Sequence, residues 1–153
     1  FSDREYFGSI SEKILYTGKI DAFFNYCFGK LAYRSLHFET EVLDVDNYQG
    51  VAVMNFTDRE TPFTRIIEHK HFEFGSQPET VISREYPHEF STDHEPYYPL
   101  NDTFNQAILT KYQALAGKHP GLILGGRLAE YRYYDMHQVI AAALEKANAE
   151  TSS

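Results

Sequence analysis

The 153-residue chain has no tryptophan, a single cysteine and no G-x-G triplet. The lone Cys27 excludes an internal disulfide framework and a thiolate zinc cluster, and it fits a reducing cytosol. The missing triplet excludes both a dinucleotide fingerprint and a P-loop, so any large cofactor would have to be held mainly by another segment or another chain. No apolar run approaches the ~20 residues that cross a bilayer, and FSDREYFGSISEK is too polar for a signal peptide. A soluble, cytoplasmic chain without a membrane partner is expected. Positive charge is scarce as well: 14 Lys and Arg stand against 22 Asp and Glu, a net charge of −8, which argues against nonspecific nucleic-acid binding. One or two arginines could still grip a diphosphate, because bidentate recognition is local chemistry.

Aromatic residues are abundant, with 12 Tyr and 12 Phe, and 42% of residues are hydrophobic, enough to close the core of one ordinary domain. The sequence opens on Phe1, which reads as a piece of something longer. KILY (13–16) reads as a short buried strand, followed by a helix that Asp21 caps, Phe28 closes and Gly29 ends. From Tyr33 to Tyr86 the pattern has period two, with SLHFETEVLDV, VAVMNFT, TRIIEHKHFEF and ETVISREY separated by polar turns. That pattern predicts an antiparallel meander. Pro87 to Glu95 reads as irregular. A helix capped by Asn101 and ended by Gly117 should bury Phe104, Ala107, Ile108, Lys111/Tyr112 and Leu115. GLILGG is a short strand, and Asp135 should cap a last helix burying Met136, Val139, Ile140, Ala143, Leu144 and Ala147, with a frayed tail. The fold class is α+β, an antiparallel sheet of about five or six strands with flanking helices.

Four places could carry chemistry. Pairing VAVMNFT with TRIIEHK about Glu60 puts Asn55 opposite Arg65 on one face, where an amide beside a guanidinium can bind phosphate or sugar hydroxyls. The plainer alternative is a surface arginine paired with a carboxylate. His69 and His71 form an H-x-H on one strand, and with His88 and His94 a cupin-like metal site is conceivable, although imidazoles on an ordinary strand face are far commoner. No metal is assigned. PYYPL is a stiff segment that aims two phenols, for ligand contact or for core packing. GGRLAEYRYYDMH combines close-approach glycines, Arg127 and a capped helix start at Asp135, suited to an anion or carbonyl or else to an ordinary strand-to-helix connection.

Taken in order, YTGKIDAFFNYCFGKLAYRSL, VAVMNFTDRETPFTRIIEHKHF, REYP, EPYYPLND and GGRLAEYRYYDMHQVIAAAL resemble the C-terminal portion of bacterial UDP-galactopyranose mutases, from about Ile14 to Leu144. The resemblance implies a three-part flavoprotein of which this chain supplies an antiparallel-sheet substrate domain (1–120, with helix 101–116). It also implies the closing strand and helix of a Rossmann-type FAD domain (121–148), followed by a disordered tail (149–153). The N-terminal FAD and lid domains, which hold most of the cofactor, would be partners supplied from outside this segment, and a homodimer is left open. The implied activity is the isomerisation of UDP-galactopyranose and UDP-galactofuranose by nucleophilic catalysis from reduced FAD, for cell-surface glycan synthesis.

Position by position, Arg65 looks like the arginine that holds the substrate diphosphate, and Asn55 like a substrate-contacting asparagine. Tyr98 and Tyr133 look like the two phosphate-binding tyrosines. Arg127, Asp135, Met136, His137, Gln138 and Val139 look like FAD contacts. No side chain here is assigned a covalent role. Lys19 stands where the family usually has proline, and His137 where it is often acidic. A non-catalytic module that binds a nucleotide sugar or a partner is the alternative.

Overall fold

The computed structural model describes residues 4–89, 91 and 94–152. Its contacts divide the chain into two compact units, Phe1–Tyr33 with Tyr98–Ser153, and Arg34–Tyr97.

In the Arg34–Tyr97 unit, strands β2 (Tyr33–Leu43), β3 (Val53–Asn55), β4 (Arg65–Glu68) and β5 (Thr80–Glu89) pair antiparallel. Their order in the sheet is β3-β4-β5-β2, and the two-residue β6 (Tyr98–Pro99) belongs to the other unit. Only β3, β4 and β5 form a meander. β2 pairs instead along the far side of β5, from Arg34↔Glu89 to Leu43↔Thr80. The strand expected to run from Thr64 to Phe74 stops at Glu68 and turns into a 3-10 segment, His69–Phe72.

Glu68 explains that stop. Its fully buried carboxylate accepts the amides of Tyr48 (3.0 Å) and Gln49 (2.8 Å) and the Thr80 hydroxyl (2.8 Å), so it anchors the β2–β3 connection. The buried Lys70 then donates to the carbonyls of Asp46 and Gln77, both at 2.6 Å. β5 continues through Pro87 to Glu89 where an irregular segment was expected. A proline is tolerated there because β4 pairs with β5 only between Ile82 and Glu85, leaving Pro87 with β2 as its neighbour. Of the segment Pro87 to Glu95, residues Phe90, Thr92 and Asp93 lie outside the described residues. Ile66 and Ile82 are the buried aliphatics at the centre of the sheet.

In the other unit, β1 (Ile14–Tyr16) pairs parallel with β7 (Leu122–Leu124), Ile14 against Leu122 and Tyr16 against Leu124. Gly121 permits this approach: its carbonyl accepts the Ile14 amide at 2.7 Å, and a Cβ at this position would lie 2.6 Å from the Glu12 carbonyl oxygen. β1 is not fully buried as expected. Leu15 is 64% exposed because the parallel pair has only these two strands and one face of it is open.

Short α1 (Arg4–Ile10) precedes β1, and α2 covers only Ile20–Phe23. Asp21 is not the cap of α2: Lys19 holds that position, and the Asp21 carboxylate accepts the amides of Ala22 and Leu31, both at 2.9 Å. The chain then reverses through left-handed Asn25 and Tyr26 before Gly29 at φ +99°.

α3 (Thr103–Ala116) is capped by Asp102, which takes the Asn105 amide at 2.7 Å, rather than by Asn101. Its buried face is Asn105, Ile108, Leu109, Tyr112 and Ala116, while Phe104 is 72% exposed. The stripe is rotated from the expected one because Asn105 is drawn inward. Its carbonyl accepts the Ala32 amide at 2.9 Å and its NH2 is held by the Asp102 carboxylate.

β7 leads through Gly125 into α4 (Gly126–Ala129), and α5 runs over Met136–Thr151. Asp135 caps α5 as expected, but no residue of α5 is buried, and Met136, Ile140 and Leu144 are 80%, 54% and 60% exposed. The expected apolar stripe is present in the sequence and uncovered. The helix also continues as far as Thr151, into the segment expected to fray: the Thr151 hydroxyl donates to the Ala147 carbonyl at 3.0 Å and Lys13 pairs with Glu150 at 2.5 Å.

Candidate functional site

The sheet unit carries one cluster. The β3–β4 turn closes around Asp58, whose carboxylate accepts the amides of Glu60 (3.1 Å) and Thr61 (2.8 Å) and the Thr61 hydroxyl (2.9 Å). That closure sets the register Asn55↔Arg65 about Glu60, and β5 continues the row with Arg65↔Glu85. Cross-strand partners share a face, so the three side chains meet. Arg65 donates Nε–H to Asn55 Oδ1 at 3.1 Å, and its Nη1 lies 3.6 Å from Glu85 Oε2.

The Arg65 side chain is 39% exposed, whereas Glu85 is 8% exposed and also accepts the Thr64 hydroxyl at 3.0 Å. The result is a guanidinium braced on its inner side and open on its outer side. Such a fork can take two oxygens of a phosphate or carboxylate. Glu85 was not singled out from sequence; it becomes visible only once the β4–β5 register is known.

His69 and His71 are not presented together on a strand face. His69 Nε2 is 2.8 Å from Ser83 Oγ, and His71 Nε2 is 3.0 Å from Glu68 Oε2. The rings of His88 and His94 lie 4.3 Å apart. Among the described residues no group of three or more potential ligands could hold a metal.

The strand-and-helix unit carries a second cluster. The rings of Tyr98 and Tyr133 stack, with centroids 5.6 Å apart and planes at 30°. The Arg127 guanidinium lies 5.7 Å from the Tyr98 centroid and 5.9 Å from that of Tyr133, while its Nη2 donates to the Tyr134 carbonyl at 3.1 Å. Its charge faces two ring quadrupoles, a favourable arrangement. Tyr98 is half-buried and Tyr133 is 51% exposed. Residues from two separate segments, PYYPL and GGRLAEYRYYDMH, are therefore neighbours.

The N-terminus of α5 follows directly. Gln138 Oε1 accepts the Asp135 amide at 2.9 Å, half of a reciprocal capping box. Helix geometry leaves the first-turn amides of Met136 and His137 without acceptors inside the helix, at its positive end. With Arg127, these donors suit the electron-rich edge of a flavin. No glycine-rich phosphate loop exists in the sequence, so these donors could hold the edge of a ring system such as a flavin but offer no cradle for a pyrophosphate. Beside them lies an apolar groove of about 420 Å³ lined by Leu15, Ile123, Gly125, Val139, Ala143 and Ala147.

The α+β chain thus presents a braced surface arginine in one unit and a cation set against two stacked tyrosines in the other, groups whose chemistry can meet an anion. The family profile described as UDP-galactopyranose mutase matches residues 1–133. The chain is 43% identical over 144 residues to a UDP-galactopyranose mutase of Mycoplasma pneumoniae, covering 90% of this chain and 36% of that protein. It is 41% identical over 141 residues to a Klebsiella pneumoniae protein named "Probable UDP-galactopyranose mutase", covering 92% and 36%. A dTDP-fucopyranose mutase of Escherichia coli is 37% identical over 135 residues, covering 88% and 36%. This chain belongs to the UDP-galactopyranose mutase family and spans about a third of the length of the curated relatives it matches, 36% in these cases.

Proposed function

We propose that the chain is the substrate-binding portion of a flavin-dependent isomerase that interconverts UDP-galactopyranose and UDP-galactofuranose. The observation that carries this reading is the assembly of Tyr98, Tyr133 and Arg127, drawn from two distant segments, into one stacked, cation-bearing surface. Relatives named as mutases of UDP- and dTDP-linked sugars support a nucleotide-sugar substrate.

Arg65, braced by Glu85 and hydrogen-bonded to Asn55, takes oxygens of the substrate diphosphate. Its charge counts most as the sugar–phosphate bond breaks and negative charge grows on the leaving oxygens. Asn55 contacts the substrate while holding the guanidinium in plane. The phenols of Tyr98 and Tyr133 donate to phosphate oxygens, which fixes the nucleotide end and leaves the sugar as the part that reacts.

Arg127, the capped turn Asp135 to Gln138 and Val139 meet the cofactor. These residues would hold one edge of FAD, which in its reduced form would supply the nucleophile for the anomeric carbon. The residues of this chain bind, orient and neutralise charge. Residues 121–148 complete a Rossmann-type domain, a reading supported by the parallel β1–β7 pair and the uncovered α5 stripe. Two parallel strands with an open face are too little for an independent sheet. A single exposed Cys27 fits a cytoplasmic enzyme.

Calorimetric titration of UDP into the chain joined to its upstream coding sequence tests the substrate assignment. Micromolar binding that falls at least tenfold in Arg65→Ala supports it; no UDP binding by the folded protein rejects it.

A further inference from the structure

The hydroxyl of Tyr131 is a junction. Although the residue is only 2% exposed and sits at a left-handed φ of +48°, it accepts the Leu100 amide at 3.1 Å and donates to the Ala32 carbonyl, with the Leu100 carbonyl at 3.0 Å. Its ring meets Tyr33 edge-on at 5.2 Å. Leu100 and Ala32 are themselves joined, Leu100 amide to Ala32 carbonyl at 3.1 Å, and the Ala32 amide is fixed by Asn105 at 2.9 Å. A buried, bulky non-glycine residue is uncommon in the left-handed region, and here the hydrogen bonds of its hydroxyl hold it in place.

Tyr98 lies two residues before Leu100, across the rigid Pro99, and Tyr133 lies two residues after Tyr131. The junction therefore ties together the two short segments that bear the stacked rings. With the Tyr131 hydroxyl in place, neither segment can slide relative to the other without breaking a buried hydrogen bond.

We infer that Tyr131 is a positioning residue: its buried hydroxyl locks the Leu100 segment to the 131–133 turn and so fixes Tyr98 and Tyr133 as one pair for a phosphate of the nucleotide. The phosphate assignment rests on the function proposed above, whereas the lock itself does not. Burial pushes the Tyr131 phenol up to about 12, so the donor persists through the neutral range.

Tyr131→Phe keeps the ring and removes only the hydroxyl. Tyr112→Phe is its control, because Tyr112 is equally buried and its hydroxyl similarly joins the Phe28 amide (3.0 Å) and the Gly29 carbonyl (2.7 Å), yet leads to no site residue. Two readouts are needed. In NMR spectra of the folded chain, the ring-to-ring NOE between Tyr98 and Tyr133 should disappear in Tyr131→Phe and survive in Tyr112→Phe. UDP affinity should fall about tenfold in Tyr131→Phe, and adding Tyr98→Phe should cost little more, since both changes disable the same pair.

A retained NOE in Tyr131→Phe, or an equal loss of it in Tyr112→Phe, overturns the positioning role. So do unchanged UDP affinity and full additivity with Tyr98→Phe. If the unsubstituted chain, joined to its upstream part as in the titration above, binds no UDP, the phosphate assignment falls, while the NOE comparison still decides the lock.

Discussion

Arg65 donates its Nε–H to Asn55 Oδ1 at 3.1 Å across directly opposed positions of β3 and β4. This bond fixes the plane of the guanidinium, and a planar fork that is already oriented loses less freedom when it meets a phosphate. Arg65→Ala should lower turnover more than tenfold in a complete mutase assay. Arg65→Lys should recover only part of that, because a point charge cannot reproduce two parallel hydrogen bonds. Equal kcat for wild type and Arg65→Ala would remove Arg65 from the role.

Glu85 lies behind Arg65, nearly buried and held by Thr64. Glu85→Gln keeps its shape and removes its charge, so the arginine loses its brace while the strand pairing stays. UDP affinity should fall several-fold with little change in the thermal midpoint. A loss of stability without a loss of affinity would make Glu85 a structural residue only.

Asn55 and Arg65 were legible in the sequence because DRETP marks a turn and period-two strands fix which residues face each other about it. Asp135 was legible for a similar reason, a short polar residue directly before an amphipathic run. Glu85 was not, since pairing it with Arg65 requires the β4–β5 register across a connection that includes a 3-10 turn. The H-x-H reading failed at the same connection. Period two continues through His69 and His71, but the buried Glu68 network ends the strand first.

Hydrogen bonding to Glu68 makes a prediction about acid. Burial opposes ionisation of this carboxyl, but the Gln49 and Tyr48 amides, the Thr80 hydroxyl and His71 outweigh it and hold it at about 2, below an ordinary value of 4.5. A depressed folded-state value means stabilisation that is complete above the unfolded-state value and is lost as pH falls toward about 2. Denaturant midpoints should therefore fall between about pH 4.5 and pH 2. Glu68→Gln should cost about 2 kcal/mol at neutral pH and flatten that fall. An unchanged slope would show that other groups carry the acid response.

The uncovered stripe of α5 makes another. Met136, Ile140 and Leu144 expose apolar surface on successive turns of a helix that buries none of its residues. The 153-residue chain alone should bind a hydrophobic dye or self-associate, and Ile140→Lys with Leu144→Lys should reduce both. A monomeric, dye-silent chain would mean that this face needs no cover.

The most direct test of the central claim is chromatographic conversion of UDP-galactofuranose to UDP-galactopyranose by this chain joined to its upstream coding sequence, with chemically reduced FAD. Conversion that stops when the flavin is oxidised and drops more than tenfold in Arg65→Ala is the predicted result. No conversion by a folded, FAD-loaded protein would contradict the mutase assignment and leave a nucleotide-binding module of the same fold.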